Sequence, residues 1–457
     1  MTRAARRRPS PGAAAAGLAA VLFALGCGAS STGSGSSSTT TGAGGATSTA
    51  GTGGESASGG AGGQGGAPML QPITALQIAA GRAHACALVA GGTVACWGAG
   101  EVGQLGDGLS GKDHHRSIPV VVTGLSGVKA IRAGGDSTCA LIGDGGKIRC
   151  WGAGGYGQLG NGKAMDQYFE PSPVEVGGVD GAVDVSVSGV NACAVLTGGS
   201  VRCWGKNDAA AWLGFSSADC GPYVDPDGTG NPTPVSIPCE STPKEVAGIA
   251  DAKQISIGGA HVCAVRMGGA VSCWGADGFG QLGDGTFGPD NHKSTPTPIA
   301  DLTGVELVHA GTSHTCALVA DQKVACWGDN AHGQLGIGTD ALDSYKTVPT
   351  PVPGLGAVIG VGVSGRTTCA ITDDRLVHCW GDAVPLFPVP PDPTKQSVLS
   401  PATIPDLAFV IEARPSATFA CAKKATNNVV CWGAGDEGQL GNGTTKATDF
   451  SFATVAN

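Results

Sequence analysis

Charged and aromatic side chains are scarce in this 457-residue sequence, at 14% and 5% of the residues. The formal net charge is −9, whereas a nucleic-acid-binding protein needs a basic field to neutralise phosphates. The sequence also lacks G-x-S-x-G, H-E-x-x-H and a glycine-rich loop that ends in lysine, which are the signatures of common hydrolases, metalloproteases and phosphate loops. We therefore expect no nucleic-acid partner, no cofactor and no catalytic residues.

Zinc-finger spacing is absent as well, because none of the seventeen cysteines forms a C-x-x-C pair. Sixteen cysteines fall into local pairs, and so many thiols would be hard to keep unreacted in a reducing cytosol. We predict disulfides formed in an oxidising compartment, with the pairs Cys86–Cys96, Cys139–Cys150, Cys193–Cys203, Cys220–Cys239, Cys263–Cys273, Cys316–Cys326, Cys369–Cys379 and Cys421–Cys431. Cys27 is left over.

The first 26 residues are typical of a secretory signal peptide. Four arginines within residues 3–8 precede an apolar run at 13–25, which is too short to span a membrane. The small residues before Cys27 resemble a bacterial lipoprotein signal and predict a lipid on Cys27. Alternatively, an ordinary signal peptidase cuts after Gly26 and leaves Cys27 free. We expect a location in the cell envelope, as an outer membrane lipoprotein, or in the extracellular or periplasmic space.

Residues 27–68 are almost wholly Gly, Ser, Thr and Ala. Such a segment cannot bury enough apolar area to offset the entropy of ordering it, so we expect a disordered, flexible linker. Joined to a lipid on Cys27, this linker would tether a folded domain at 69–457 to a membrane. A glycosylated or merely low-complexity tail is the alternative.

A cysteine-rich hairpin organises the rest of the chain. It first reads GRAHACALVAGGTVACWG, and its Cys-Trp-Gly ending occurs seven times, at separations of 54, 53, 70, 53, 53 and 52 residues. The first copy predicts strands at 76–79, 85–89, 93–97 and 118–122. A period near 50 residues with strand-like pieces is typical of a propeller. We predict an all-β fold, a monomeric seven-bladed β-propeller with four antiparallel strands in each blade.

The register of the hairpin follows from its cysteines. If Cys86 faces Cys96 across an antiparallel pair, Trp97 faces Ala85, and in the other copies the residue opposite the tryptophan is small or β-branched. Because neighbouring strand residues point to opposite faces, each blade should turn its disulfide toward one neighbouring blade and its tryptophan toward the other. The small partner leaves room for the indole ring.

A second signature follows the tryptophan. GQLG-x-G starts at Gly103, Gly157, Gly280, Gly333 and Gly438, and we interpret it as a structural loop with an inward leucine. Together with GRAHACAL, TVACWG and SIPVVV, it resembles the regulator of chromosome condensation repeat over about residues 73–457. This resemblance implies a seven-bladed propeller that acts by binding. The signal peptide and the acidic charge argue against the founder's roles in nuclear GTPase exchange and chromatin docking.

Two copies depart from the repeat in the segment between their third and fourth strands, so their loops should emerge on one face. The third copy has an insertion at 216–240 that contains Cys220 and Cys239, and the sixth has the proline-rich segment 382–395. Loops on a rigid scaffold commonly carry binding residues, and aromatic residues commonly anchor partners. The candidate anchors are Trp212, Phe215, Tyr223 and Phe387. The alternative is that these side chains pack their own loops.

Asp225, Asp227 and Asn231 partly resemble a calcium loop, although a glutamate twelve positions after the first ligand is missing. A plain turn is the alternative. For the whole protein we predict a protein-binding scaffold that acts through the irregular loops. The alternatives are a structural envelope protein and a propeller lyase, in which His84, His261 and His314 approach the central channel.

Overall fold

The computed structural model describes residues 71–165, 167–207, 211–217, 219–223, 235–339, 344–387, 397–446 and 453–456. These residues belong to one compact unit, Gly66–Asn457. Among them, no helix is both long and apolar enough to span a membrane. The predicted signal peptide and linker lie outside the described residues, as do Asp225, Asp227 and Asn231.

The described chain forms 29 β-strands, numbered here in chain order, and two short 3-10 helices. The first four blades are β1 Ala75–Ala80, β2 His84–Val89, β3 Thr93–Ala99, β4 His115–Val121; β5 Val128–Gly134, β6 Ser137–Ile142, β7 Lys147–Ala153, β8 Phe169–Glu175; β9 Ala182–Val187, β10 Asn191–Leu196, β11 Val201–Lys206, β12 Asp219–Tyr223, β13 Val235–Glu245; and β14 Ala252–Ile257, β15 His261–Arg266, β16 Val271–Ala276, β17 His292–Pro298.

The last three blades are β18 Leu307–Ala310, β19 His314–Val319, β20 Lys323–Gly328, β21 Lys346–Pro351; β22 Val358–Ser364, β23 Thr367–Thr372, β24 Val377–Gly381, β25 Val398–Thr403; and β26 Val410–Pro415, β27 Phe419–Lys424, β28 Val429–Gly433, β29 Ala453–Thr454. The 3-10 helices are Ala320–Gln322 and Val384–Leu386.

Each blade is an antiparallel meander in which consecutive strands are neighbours. Blade 3 is the exception, because β12 adds a fifth strand at its outer edge by pairing with β13. The architecture confirms the predicted all-β, seven-bladed propeller. The strands predicted for the first copy match β1 to β4, with ends that differ by at most a few residues.

The ring closes without exchanging a strand between the first and last blades. The C-terminal strand β29 pairs with β28 as the outer strand of blade 7. The residues just before β1 then cross to the C-terminus, where the Ile73 amide donates to the Val455 carbonyl at 2.9 Å and Pro72 forms a bridge with Ala456. The sequence alone left this choice open, because it depends on contacts between the two ends of the chain.

The hairpin register is as predicted. Cys86 pairs with Cys96 and Ala85 with Trp97, and the six other copies repeat this alignment. All eight predicted disulfides are present, including Cys220–Cys239 in the insertion of blade 3. Local pairing of this kind was accessible from sequence because each hairpin places its cysteines opposite one another.

The blades are joined by a repeated contact between the tryptophan of one blade and the disulfide of the preceding blade. Trp151 packs in one cluster with Cys86 and Cys96, and Trp97 packs with the disulfide of blade 7 to close the ring. The indole Nε1 of Trp151 donates to the Gln104 carbonyl of the preceding GQLG loop at 3.0 Å. Gly106 lies against the same ring at φ 67°, where an added Cβ would sit 2.8 Å from Nε1. Close packing of this kind transmits the shape of one blade to the next.

The tryptophan of blade 4, Trp274, lacks the hydrogen bond from its indole to the described residues in the loop of the preceding blade. Trp327 donates to the Gln281 carbonyl at 3.0 Å, whereas the buried Nε1 of Trp274 has no partner among the described residues. The loop of blade 3 has Trp212 where the regular loops have glutamine.

We predict that Trp327→Phe lowers the free energy of unfolding by about 1–2 kcal/mol more than Trp274→Phe does, because only the first substitution removes a hydrogen bond. Both substitutions remove similar apolar area, so Trp274→Phe is the matched control. Chemical denaturation of the oxidised protein, followed by circular dichroism, measures the difference. Equal losses would contradict the assigned role of the indole N–H.

Candidate functional site

All loops between third and fourth strands emerge on one side of the ring, because the blades share one meander topology. We call this side the loop face. Its described segments are 100–114, 154–165, 167–168, 207, 211–217, 219–223, 277–291, 329–339, 344–345, 382–387, 397 and 434–446. The turns between second and third strands lie on the opposite face.

The regular loops are held by their GQLG signature, as the sequence indicates. In each of the five copies the glutamine Oε1 accepts the backbone N–H two residues earlier, at 2.8–2.9 Å. The leucine that follows is fully buried in every copy. The signature therefore builds the base of the loop and leaves the rest of the segment free to vary.

The irregular loop of blade 6 keeps this base by another route. Leu386 is buried in the position of the regular leucine, and its carbonyl accepts the Trp432 Nε1–H at 3.2 Å. Phe387 is only 2% exposed and packs in the core between blades 6 and 7. The prediction that Phe387 anchors a partner is therefore wrong, because its ring already fills an interblade space.

The irregular loop of blade 3 presents two of the predicted anchors. Leu213 is buried like the regular leucine, while Trp212 and Phe215 are half-buried. The Lys244 ammonium lies 5.2 Å from the centre of the Phe215 ring. Tyr223 ends β12, and its side chain lies outside the described residues, so its role stays a prediction.

Aromatic residues concentrate on the loop face, which the sequence reading missed beyond blades 3 and 6. Within the described ranges, twelve aromatic residues lie outside the hairpin tryptophans, and nine of them belong to its segments: Tyr156, Tyr168, Trp212, Phe215, Tyr223, Phe279, Phe287, Tyr345 and Phe387. Counting aromatic residues by segment would have shown this bias. In a chain so poor in aromatic residues, the bias marks the loop face as the candidate binding site.

On the described part of the loop face, the most exposed aromatic side chains belong to blade 4. Phe279 and Phe287 are 47% and 51% exposed. The Phe287 ring lies 4.5 Å from the ring of Tyr345, which belongs to the loop of blade 5. The two loops thus form a shared aromatic surface across a blade boundary.

Lysines cover the aromatic rings of blade 2. Lys163 lies 5.5 Å from the ring centre of Tyr168, and Lys206 of blade 3 lies 5.7 Å from that of Tyr156. Contacts of this geometry are weakly attractive when exposed. They give this part of the loop face a mixed cationic and aromatic character.

One carboxyl group on the loop face is nearly inaccessible to solvent. Burial raises the pKa of Asp277 to about 6, although its Oδ1 accepts the Leu282 N–H at 3.1 Å. Asn207 and Asn330 occupy the same position in blades 3 and 5, and each accepts the equivalent leucine N–H. The position therefore anchors the loop. In blade 4 the Oδ2 of Asp277 also accepts from Thr286 Oγ1 at 3.1 Å and from Asn291 Nδ2 at 2.6 Å, which an amide nitrogen could not do.

The three GxxH histidines of the repeat, His84, His261 and His314, do not reach the channel. Each is buried between blades, with Nε2 2.8–2.9 Å from a threonine hydroxyl of the next blade. Burial lowers the pKa of His84 and His261 to about 4 and that of His314 to about 3, so all three are neutral at pH 7. The alternative of a lyase that uses these residues in the channel is wrong, because their rings pack the interblade core.

No group of three or more His, Cys, Asp or Glu side chains within the described ranges is arranged to hold a metal ion. The calcium candidates lie outside those ranges and stay a prediction. The hydrogen-bonded histidines and the buried loop anchors are structural features of the ring and its loops.

Comparison with known proteins places this geometry in a wider group. The family model described as the RCC1-like domain matches residues 30–385. The ultraviolet-B receptor UVR8 of Arabidopsis thaliana is 28% identical over 348 residues, which cover 68% of this chain and 77% of UVR8. RUG3, a mitochondrial RCC1 domain-containing protein of the same plant, is 29% identical over 63% of this chain and 61% of its own length.

A solved structure shows the same fold. Prp20p from Saccharomyces cerevisiae superposes with a TM-score of 0.65 at 19% identity, and the match covers 85% of this chain and 87% of that one. At this level of identity the likeness establishes the architecture and not the activity.

We predict that the stability of Asp277→Asn relative to the wild type is about 1–3 kcal/mol more favourable at pH 7.5 than at pH 4.5, because one pKa unit corresponds to 1.36 kcal/mol. The folded-state pKa lies above the unfolded value of 3.8, so the buried charge costs stability above pH 6. That cost disappears as Asp277 becomes protonated between about pH 6 and pH 4. Denaturation curves of both proteins at the two pH values measure the difference.

The reverse substitution, Asn330→Asp, is the matched control. It should destabilise blade 5 at pH 7.5 and cost less at pH 4.5. An effect of Asp277→Asn that does not change with pH would show that its origin is not the buried charge.

Proposed function

The chain belongs to the RCC1-like domain family, and from that premise we propose that it is a protein-binding scaffold whose loop face holds the partner. The concentration of aromatic residues on the loop face carries this proposal. Aromatic side chains bury large areas at low entropic cost and are common anchors of protein interfaces.

The ring supplies a rigid base for such a face. Every blade is closed by a disulfide between its second and third strands, and each tryptophan packs on the disulfide of the preceding blade. A loop held on a rigid base loses less conformational freedom on binding, which favours affinity. The insertion of blade 3 has its own disulfide, Cys220–Cys239, consistent with a preorganised projection.

The proposed anchors form two groups. Trp212 and Phe215 belong to blade 3 and come from the sequence prediction, whereas Phe279, Phe287 and Tyr345 belong to the junction of blades 4 and 5 and come from the structure. Tyr223 remains a candidate in the first group. A partner that spans blades 3 to 5 would contact both groups.

Protein partners suit the family better than nucleic acid does. Prp20p, on the same fold, is described as binding Gsp1p and histones. The net charge of −9 opposes binding of the present chain to nucleic acid, and the sequence provides no reason to transfer a nuclear partner to it. The partner proposed here is an extracytoplasmic protein.

The proposed compartment rests on the N-terminal sequence and the disulfides. Residues 1–26 have the features of a signal peptide, and Cys27 is the one cysteine outside the eight pairs. Disulfide-rich folds persist in oxidising compartments. We propose that lipidated Cys27 and the linker tether a monomeric propeller at the cell envelope.

We predict that a photo-crosslinking residue placed at Phe279 or Trp212 forms a discrete covalent adduct with one partner protein in intact cells. The same residue placed at Phe409 or Met267 should form none. Phe409 and Met267 are 70% and 61% exposed and lie on the opposite face, so these apolar controls are at least as accessible as Phe279 and Trp212. Mass spectrometry of the purified adduct identifies the partner.

Substitution then tests the contribution of the anchors. Phe279→Ala with Phe287→Ala should weaken binding of the identified partner by about thirtyfold or more, since a central aromatic anchor contributes about 2 kcal/mol or more. Phe409→Ala should leave the affinity unchanged. Adducts from the opposite face alone would contradict the proposed site, and no adduct from either face would favour a structural envelope protein.

We predict that Cys27→Ala moves the mature protein from the membrane fraction to the soluble fraction, because it removes the proposed acylation site. Intact-mass measurement of the wild-type protein should show the mass of acyl chains on Cys27. If an ordinary signal peptidase cuts after Gly26, the two proteins will fractionate alike and the wild type will carry a free thiol.

A further inference from the structure

The innermost strands of the seven blades surround a central channel with a cavity volume of about 680 Å³. This volume is within the range of small-molecule sites. In each blade, one residue of the innermost strand pairs with the first cysteine of the hairpin. These residues lie at one level of the channel and form a ring around it. Arg132 pairs with Cys139, His309 with Cys316 and Arg414 with Cys421.

Most polar side chains along the innermost strands are used to bond the neighbouring blade. Gln77 Oε1 accepts the Ile131 N–H at 2.8 Å, and Gln254 bonds both the N–H and the carbonyl of Val308. These side chains satisfy strand edges that would otherwise be unpaired, so they have a structural role.

Two arginines make a different arrangement. Arg132 of blade 2 donates through Nη2 to Asp184 at 3.1 Å, and Arg414 of blade 7 donates through Nη2 to Glu412 at 2.8 Å. Each carboxylate holds one side of a guanidinium. Arg132 Nε and Arg414 Nη1 form no hydrogen bond to a described residue, and both arginines line the cavity.

Both arginines lie at the same level of the channel, on either side of blade 1. Burial lowers the pKa of Arg132, the carboxylate of Asp184 opposes this change, and the charge of Arg414 adds to it. Blade 1 lies between the two arginines and contributes only the methyl group of Ala79 at this level. Like charges that face a common space are stabilised by an anion that accepts hydrogen bonds from both.

A third donor faces the same space. His309 lines the cavity, is half-buried and makes no hydrogen bond to a described residue. Burial, followed by the charges of Arg414 and Arg132, lowers the pKa of His309 to about 3, so its imidazole is neutral at pH 7 and retains one N–H donor. The cavity is lined by four basic side chains, Arg82, Arg132, Arg414 and Lys423, together with the imidazole of His309 and one carboxylate, Glu412.

The wall formed by blade 6 leaves room beside these donors. Gly360 lines the cavity, and a Cβ added there would meet only Ile371 Cδ1, at 3.6 Å. At the level of the ring, Gly362 leaves no such room, because a Cβ added there would lie 2.6 Å from the Ala413 carbonyl oxygen of blade 7. The open space on this wall is therefore the one beside Gly360.

We propose that the central channel binds a small organic molecule that carries an oxyanion, held between Arg132 and Arg414 and contacted by His309. A carboxylate and a phosphoryl group each present more than one oxygen acceptor, so a single oxyanion can accept hydrogen bonds from both Arg132 Nε and Arg414 Nη1. The site is distinct from the loop face, and its residues take no part in the function proposed above.

Isothermal titration calorimetry of the full, oxidised chain tests the site, with citrate and inorganic phosphate as the probes at constant ionic strength. Glycerol serves as the uncharged control. We expect saturable binding of at least one anion at one site per chain and none of glycerol. A response to phosphate but not to citrate supports the site and identifies the phosphoryl group as its ligand chemistry.

Two variants should lose this binding for different reasons. Arg414→Gln removes one guanidinium and should weaken binding about tenfold to a hundredfold, the range for a hydrogen bond to a charged group. Gly360→Leu fills the space without changing any charge. Its glycine has an ordinary backbone conformation, so the larger side chain introduces no left-handed strain. Circular dichroism verifies that both variants are folded.

Arg149→Gln is the matched control, because Arg149 is an arginine outside the channel that donates to the Gly124 carbonyl at 3.0 Å. It should bind the anion as the wild type does. Absence of saturable binding for both anions, or equal binding by wild type and the two folded channel variants, would overturn the proposal. Crosslinking to the loop face is measured separately, so failure of either proposal leaves the other intact.

Discussion

The ring depends on the packing of each tryptophan against the disulfide of the preceding blade. Each contact buries a large indole ring beside two sulfur atoms. After a regular loop, the indole N–H also donates to a carbonyl of that loop. Because each blade contacts mainly its neighbours, the ring is a set of similar interfaces in series. The disulfide and the indole point to opposite sides of one hairpin, so a single local element serves both of its neighbours.

The departures from the repeat show which parts of this contact are required. Blade 6 has lost the whole GQLG signature, yet Leu386 supplies both the buried leucine and the carbonyl acceptor. Blade 3 keeps the buried Leu213 but leaves the Trp274 N–H without a described partner. The buried leucine is therefore retained even where the hydrogen bond to the indole is lost. The rest of each loop is free to vary, and those variable parts carry the aromatic residues of the loop face.

Burial changes the chemistry of residue types that a sequence reading treats alike. The histidines of the repeat suggest acid–base groups, but desolvation between blades keeps them neutral, and their Nε2 atoms bond threonine hydroxyls. Asp277 occupies the position of an asparagine and carries an unfavourable charge at neutral pH. In the channel, by contrast, Arg132 and Arg414 retain donors that the fold does not use. Exclusion of water keeps a buried histidine neutral, and in a cavity it also strengthens the attraction between an arginine and an anion.

The sequence by itself determined the blade count, the strand order, the eight disulfides and the register of every hairpin. These features depend on residues close together in the chain, where a period of two and the cysteine spacing define the partners. Only the tertiary structure decided that Phe387 is buried, that Phe287 meets Tyr345, and how the ends of the ring join. It also decided which arginines face the channel: Arg414 contacts the Ile78 carbonyl, 336 positions away. Contacts across such separations follow from ring closure, which no local pattern encodes.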